Sequence, residues 1–322
     1  DHHIVIHTYP NRQITIYPNL LGPQSVLTGA SLQNSWKAVH FLTNKWIQAA
    51  ELAGKPWVVA NDEQNPASGG VPADPGFEGF DGQGEDGGKE YNLHDIRKYT
   101  LWGNLMAGGA GVEWYFGYKH PNSDLNCQAY RVREKMWKQC RVALGFFADH
   151  KIPFWNMSKA NGKLSTKDGY CLSEPGKLYL VFLKHSKPTT LDLSDAKGAF
   201  EILWFNPRDG GPLRPGSTVA VNGGGKVALG SPPEGDGRDW LAVIRPGDPN
   251  RDYPPGVSAG ADQTIMLPRS GNSVTVDLAG RVRDDGKGGS TLTSSWSKLS
   301  GPGKAEFENP AAGATQVTLH GR

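Results

Sequence analysis

A change of hydrophobic period near Pro153 constrains this chain more than any other feature. Before it, short apolar runs alternate with stretches whose apolar residues recur every three to four positions; after it, they recur at every second position between clusters of Gly and Pro. A strand–helix repeat and a set of alternating strands bury their apolar faces in different layers. The expected fold class is therefore multidomain, α/β followed by all-β. The length of 322 residues fits two to three domains. Hydrophobic residues make up 37% of the chain and ten of them are Trp, so packed cores are expected and disorder or a collagen-like repeat is excluded. The 42 Gly and 23 Pro must then lie in loops and turns.

Charge and cysteine usage narrow the classes further. There are 34 Lys and Arg against 32 Asp and Glu, with no basic run, which argues against nucleic acid as a partner. No apolar run reaches the roughly 18 residues of a membrane span. Cys127, Cys140 and Cys171 lack the spacing of a zinc site, and buried thiols are expected rather than a disulfide. No metal or other cofactor is expected. The first residues read straight into a strand without a leader, so the sequence is expected to begin inside a longer protein.

Before Pro153 the sequence predicts four strand–helix units. Ile4-Val5-Ile6 is the first strand and Ser25-Val26-Leu27-Thr28, ending near Gln33, the second. A helix capped by Asn34 follows, with Val39, Leu42, Trp46, Ala49 and Ala53 on one face and Gly54 at its end. Pro56 to Ala60 is the third strand. A Gly- and Asp-rich loop from Ala67 to Tyr91, a helix from His94 to Met106, a fourth strand Val112 to Phe116 and a helix from Gln128 to Asp149 complete the series. Such repetition implies a parallel sheet, either half of a (β/α)₈ barrel or a small open sheet. In the barrel, chemistry belongs at strand C-termini. His7, Tyr9, Gln33, the run Asn61-Asp62-Glu63-Gln64-Asn65 and Tyr118 all fall there.

After Pro153, strands are expected at Leu178 to Leu183, Phe200 to Phe205, Lys226 to Leu229 and Trp240 to Ile244, forming a β-sandwich. Pro246 to Pro255 reads as a stiff linker. Gln263 to Leu267, Ser273 to Asp277 and Ser294 to Trp296 suggest a further, partial immunoglobulin-like sandwich. The expected boundaries are 1–152, 153–246, 247–256 and 257–322.

The densest polar cluster is Asn61-Asp62-Glu63-Gln64-Asn65, immediately after an apolar strand. Two carboxylates held among amides suit the recognition of sugar hydroxyls and the fixing of a nucleophile. Glu63 is the candidate catalytic residue. Asp62 is the weaker candidate, because neighbouring side chains of a strand point to opposite faces; the alternative is that Asp62 and Asn65 only cap the loop. Glu113, inside an apolar strand, is either buried in the barrel with a partner or faces the site as a supporting carboxylate. His7 and Tyr9 either position a sugar and orient Glu63 or are structural, and Gln33, Asn61 and Gln64 are candidate substrate-binding amides. Trp114, Tyr115 and Tyr118 are candidate stacking platforms for a sugar ring. The acidic loop with Asp74, Glu78, Asp81, Glu85 and Asp86 lacks the spacing of an EF-hand and reads as a lid or solvated loop.

Three stretches carry a resemblance. His2-His3-Ile-Val-Ile-His-Thr-Tyr-Pro, Lys55-Pro-Trp-Val-Val-Ala-Asn-Asp-Glu-Gln-Asn-Pro and Tyr99-Thr-Leu-Trp-Gly-Asn-Leu-Met-Ala-Gly-Gly-Ala-Gly-Val-Glu resemble strands five, seven and eight of apiosidase-like (β/α)₈ glycoside hydrolases. The stretch ending Trp204-Phe205-Asn206-Pro207-Arg208-Asp209-Gly210-Gly211 is similar to the small β-sandwich, often labelled collagen-binding, that follows such barrels. Ala259-Gly-Ala-Asp-Gln-Thr-Ile-Met-Leu-Pro, Asp284-Asp285-Gly and Trp296-Ser-Lys-Leu-Ser-Gly-Pro-Gly resemble PKD-like modules of secreted bacterial proteins. The resemblance implies the C-terminal half of a TIM (β/α)₈ barrel, a β-sandwich and a partial PKD-like module. It further implies a secreted, extracellular, cell-surface or periplasmic hydrolase with carbohydrate as its partner, Glu63 in the nucleophile position and the acid/base carboxylate upstream of Asp1. A half-barrel alone would expose sheet edges and an apolar lumen, so this polypeptide by itself is expected to be poorly soluble or inactive. The reading from another class is a non-catalytic surface adhesin with a degenerate barrel that binds carbohydrate or a fibrous protein.

Overall fold

The computed structural model describes residues 2–64, 68–80, 92–126, 129–235, 237–248, 251–252, 255–260, 263–266, 271–284, 287, 289 and 291–321. Asn65, Cys127, the loop residues Asp81, Glu85 and Asp86, and Asp285 lie outside them.

The N-terminal part is built on a parallel sheet of β1 (Val5–Ile6), β2 (Gly29–Asn34) and β3 (Val58–Gln64), in that order. β2 begins at Gly29 rather than at Ser25. The Ser25 hydroxyl accepts the Leu27 amide and turns the chain locally, which competes with the ladder. At Gly29 a Cβ would lie 2.2 Å from the Val58 carbonyl oxygen, so only glycine lets the first and third strands close on the second. Asn34 does not cap the helix as expected: it ends β2 as a buried residue that accepts a hydrogen bond from Asn61. The short helix α1 (Gln13–Ile16) lies between β1 and β2; after β2 a 3₁₀ turn (Trp36–Ala38) intervenes before α2 (Val39–Leu52), and Gly54 follows at φ +85°. Trp46 and Ala50 point inward with Ala30, Leu32 and Val59 of the sheet, and Val39 is buried as well.

The helix expected from His94 to Met106 runs as α3 (Leu93–Asp95), a π-helical stretch (Ile96–Leu101) and α4 (Trp102–Leu105). Its cap is Asn92, whose side chain accepts the His94 and Asp95 amides. The expected fourth strand is reduced to one parallel bridge, Asn61 to Val112. Beyond that bridge the Gln64 side chain replaces the ladder: its amide nitrogen donates to the Glu113 carbonyl at 2.7 Å, and its oxygen accepts the Tyr115 amide at 3.0 Å. The last helix of this part is α5 (Glu134–Asp149), preceded by a 3₁₀ turn (Tyr130–Arg133).

A six-stranded antiparallel sheet follows, in the order β4 (Ser158–Lys159), β5 (Gly169–Glu174), β6 (Leu178–Leu183), β11 (Trp240–Pro246), β8 (Ala199–Phe205) and β9 (Arg214–Asn222). The pair β7 (Thr190–Asp192) and β10 (Lys226–Ala228) forms a second, small sheet. Side chains alternate between two cores. Leu172, Leu180, Phe182, Leu241 and Val243 join a core with Trp102, Met136 and Phe146 of the helices. Cys171, Tyr179, Val181, Trp204, Trp240 and Ala242 fill the opposite face with Leu191 and Leu229.

The C-terminal part holds β12 (Gly256–Ser258) paired with β14 (Arg281–Arg283), and a sheet ordered β13 (Ser273–Ala279), β16 (Ala314–His320), β15 (Ala305–Phe307). Of the strands expected here, only Ser273 to Asp277 forms. Residues 263–266 are irregular and Leu267 lies outside the described residues. Trp296 sits outside any strand because its indole nitrogen donates to the Ala312 and Gly313 carbonyls, both at 2.9 Å, which fastens a loop rather than a ladder.

Candidate functional site

The C-terminal end of β3 carries the polar run, and a bulge sets its geometry. Leu32 pairs with Asn61 but Gln33 pairs with Glu63, so Asp62 is an extra residue without a partner on β2. Such an insertion breaks the alternation of side chains. The expectation that only one of Asp62 and Glu63 can face the site is corrected accordingly, since both reach the same imidazole. His7 Nδ1 is 3.1 Å from Asp62 Oδ2 and His7 Nε2 is 3.5 Å from Glu63 Oε2. Nδ1 is within hydrogen-bond distance of Asp62, and Nε2 faces Glu63.

The remaining oxygens separate the two acids. Glu63 Oε1 accepts from Gln33 Nε2 at 2.5 Å, while Asp62 Oδ2 accepts from the Ser31 hydroxyl. Asp62 Oδ1 is buried with no hydrogen-bond partner among the described residues. The side chains of Asp62 and Glu63 are 21% and 20% exposed, and that of His7 42%, so the three are open to a ligand from one side. Beneath them, Asn61 and Gln64 are fully buried. Asn61 Nδ2 donates to the Leu32 carbonyl and to Asn34 Oδ1 at 2.8 and 3.0 Å, and Gln64 Nε2 donates to Asn61 Oδ1 at 2.9 Å. These amides form the floor that fixes the strand end, and their buried atoms face other protein groups rather than a substrate.

Two tyrosines respond to the carboxylates. Burial, and then the Asp62 charge, push the Tyr17 hydroxyl up to about 12. Burial, then the charges of Glu63 and Asp124, raise the Tyr115 hydroxyl as well. Both therefore stay protonated at neutral pH.

The other candidates separate clearly. Tyr9 and Tyr118 are 71% and 57% exposed, and Glu113 is exposed rather than buried against a partner. Trp114 is a core residue whose indole nitrogen donates to Cys140 Sγ at 2.9 Å, so its ring does not face the site. Cys140 and Cys171 are free thiols, and burial raises both. Ser31, Tyr17 and Asn34 are not among the residues expected at the site, whereas Tyr115 is, and it lies half-buried beside the carboxylates. Ser31 was within reach of sequence reasoning, because it lies two residues before Gln33 on the same strand and so shares its face. Among the described residues no group of three His, Cys, Asp or Glu is arranged to hold a metal, and no helix is long and apolar enough to cross a membrane.

Comparison with known proteins bears on both halves of the molecule. Residues 159–245 match a family model described as "Putative collagen-binding domain of a collagenase". No curated protein matches the chain significantly. Among solved structures, a glycoside hydrolase family 5 protein from Bacteroides vulgatus is similar with a TM-score of 0.51 at 13% identity, over 76% of this chain and 55% of that one. A second, described as a glycoside hydrolase, gives a TM-score of 0.52 at 14% identity, over 78% of this chain and 59% of that one. The chain thus spans little more than half the length of these hydrolases, and it shares their fold over most of its own length.

Proposed function

We propose that the protein is a secreted bacterial glycoside hydrolase of the apiosidase-like kind, acting on a polysaccharide or its side chains. Residues 1–152 are read as the C-terminal half of a (β/α)₈ barrel, 153–246 as a β-sandwich, 247–256 as a linker and 257–322 as a partial PKD-like module. The observation that carries this reading is the state of Glu63. It stands at the C-terminal end of a parallel strand, one oxygen held by Gln33 and the other facing His7, in the neighbourhood of Tyr115. Active residues of barrel enzymes occupy that position.

In a retaining mechanism Glu63 attacks the anomeric carbon as a carboxylate, and the bond to the leaving sugar breaks as a second carboxyl group gives its proton to the leaving oxygen. Gln33 holds Glu63 by its Oε1 and leaves Oε2 for attack. His7 faces that oxygen through its Nε2 at 3.5 Å. Asp62 orients His7 through Nδ1. The acid/base is assigned to a carboxylate outside these 322 residues, consistent with the share of the similar hydrolases that the chain spans. Glu63→Gln keeps the Gln33 contact and removes the nucleophile. Turnover of aryl glycosides and polysaccharides by the whole protein is expected to fall by about 10³-fold or more; undiminished turnover rejects the assignment.

The family match at 159–245 favours a second reading, an adhesin that binds carbohydrate or a fibrous protein without turnover. Saturable binding of the protein to glycan or collagen arrays, with no hydrolysis of any bound glycan, would select it.

A further inference from the structure

We propose that residues 159–245 are an integral layer of the α/β unit, folding and unfolding with it, and not a detachable module that offers a sheet face to a fibrous protein. This inference goes beyond the hydrolase reading and does not rest on it.

A sheet that recognises an extended ligand through a face must leave that face open. Here neither is. Tyr170, Leu172, Leu180, Phe182, Leu241 and Val243 point into the helices of the N-terminal part. Their neighbours Cys171, Tyr179, Val181, Trp240, Ala242 and Ile244 point into the opposite core. Strand β6 is buried at all six positions. Its edge strands are β4 on one side and β9 on the other.

The contact with the helices has the character of a protein interior. The Trp102 ring stacks on Phe182 with centroids 5.4 Å apart and planes 16° apart, and Phe146 meets Phe205 at 4.7 Å. His40 of α2 stacks on Tyr170 at 4.0 Å, and its Nε2 lies 2.9 Å from Asn161 Nδ2. The Lys184 ammonium sits 4.9 Å from the centroid of Tyr99 and 4.7 Å from that of Tyr170. At one point a charged pair is withdrawn from water altogether: Arg97 Nε and Nη2 donate to the two oxygens of Asp239, each at 2.8 Å, with side-chain exposures of 3% and 0%. Interfaces between mobile domains are more polar than this and keep their charges wet. Separating these layers would expose stacked aromatic rings together with a desolvated ion pair.

The most specific sequence signature of the segment, Trp204 to Gly211, is spent in the same place. Phe205 enters the helix core, Arg208 donates to the Asp239 carbonyl, and the Arg208 guanidinium lies 5.0 Å from the Trp240 ring centroid. Arg214 lies over the same ring at 5.1 Å. The motif thus assembles the ledge that presents Asp239 to Arg97.

Hydrogen exchange of the whole protein, followed by mass spectrometry, tests this directly. Ile202→Val removes one methylene from the core that faces away from the helices. Integral layering predicts that the slowest-exchanging amides accelerate about fivefold both in β6 and in the helix Glu134–Asp149. Arg97→Met, made from the other side, is expected to accelerate Trp240–Ile244 together with Trp102–Leu105. Acceleration confined to the substituted side in either variant overturns the proposal. Glu63→Gln is expected to leave both segments unchanged, so a failed hydrolase assignment and a failed interface proposal give different results.

Discussion

The end of β3 and the ledge at Asp239 both carry acidic groups against a basic partner, but the two regions treat their charges in opposite ways. Asp239 is fully buried and has both oxygens bound by one guanidinium. Burial pushes its carboxyl up, yet Arg97 and then Arg208 outweigh that and hold it below the usual range. Glu63 and Asp62 are partly open, share a single imidazole and leave one buried oxygen without a hydrogen bond among the described residues. A charge whose bonds are complete is a fastener. A charge left partly unsatisfied and open on one side is available to a ligand. Burial alone does not make this distinction, since Asn61 and Gln64, among the most buried polar residues, belong to the floor and not to the chemistry.

Breaking the fastener is expected to cost as much stability as opening a cavity in the core. Asp239→Ala leaves Arg97 buried without its partner and should cost about 3–5 kcal/mol, read from urea or thermal unfolding. A loss below about 1 kcal/mol would place Asp239 with the weakly coupled surface pairs.

Acid tests the same interface from the His40 side. Burial chiefly, with the neighbouring Lys159 and Lys184 charges adding to it, lowers its pKa to about 4 in spite of the bond to the Gly103 carbonyl. The folded state therefore holds His40 neutral, and protonation favours unfolding. Its stability contribution is complete above about pH 6.5, declines as the pH falls toward 4 and is flat below that. The decline amounts to about 3 kcal/mol. Unfolding free energies at pH 7.5 and 4.5 should differ more in the wild type than in His40→Gln; equal differences would contradict the neutral, buried assignment.

At the open region the expected cost to stability is small. Tyr118→Ala should change stability by no more than about 0.5 kcal/mol, whereas Trp114→Ala, in the core, should cost about 3–5 kcal/mol. Paired thermal melts of these two variants check the separation, and similar losses would erase it.

Much of this contrast was legible in the sequence, and the remainder has physical reasons. Glu63, Gln33 and His7 were visible because parallel strands place their chemistry at their C-terminal ends, and the change of period marked where the antiparallel sheet takes over. The bulge at Asp62 was not visible, because an inserted residue leaves no trace in the pattern of a strand so polar at its end. Trp114 was misplaced for a related reason: alternation separates Glu113 from Trp114 but does not say which of the two faces the core. The missing fourth strand followed from Gln64, whose side chain mimics a backbone amide, an arrangement no propensity encodes. Strand β5 escaped notice because Gly169, Ser173 and Glu174 cut its apolar run to the three residues Tyr170 to Leu172, shorter than those of β6, β8 and β11. Arg97 and Asp239 lie 142 residues apart, so nothing local links them.

The claim that Glu63 is the reacting group is tested most directly by trapping. The whole protein, incubated with activated 2-deoxy-2-fluoro glycosides that form the glycosyl-enzyme quickly and release it slowly, should gain one sugar by intact mass, and peptide mapping should place that sugar on Glu63. A sugar found on Asp62, or turnover of the same glycosides with no adduct at Glu63, would contradict it.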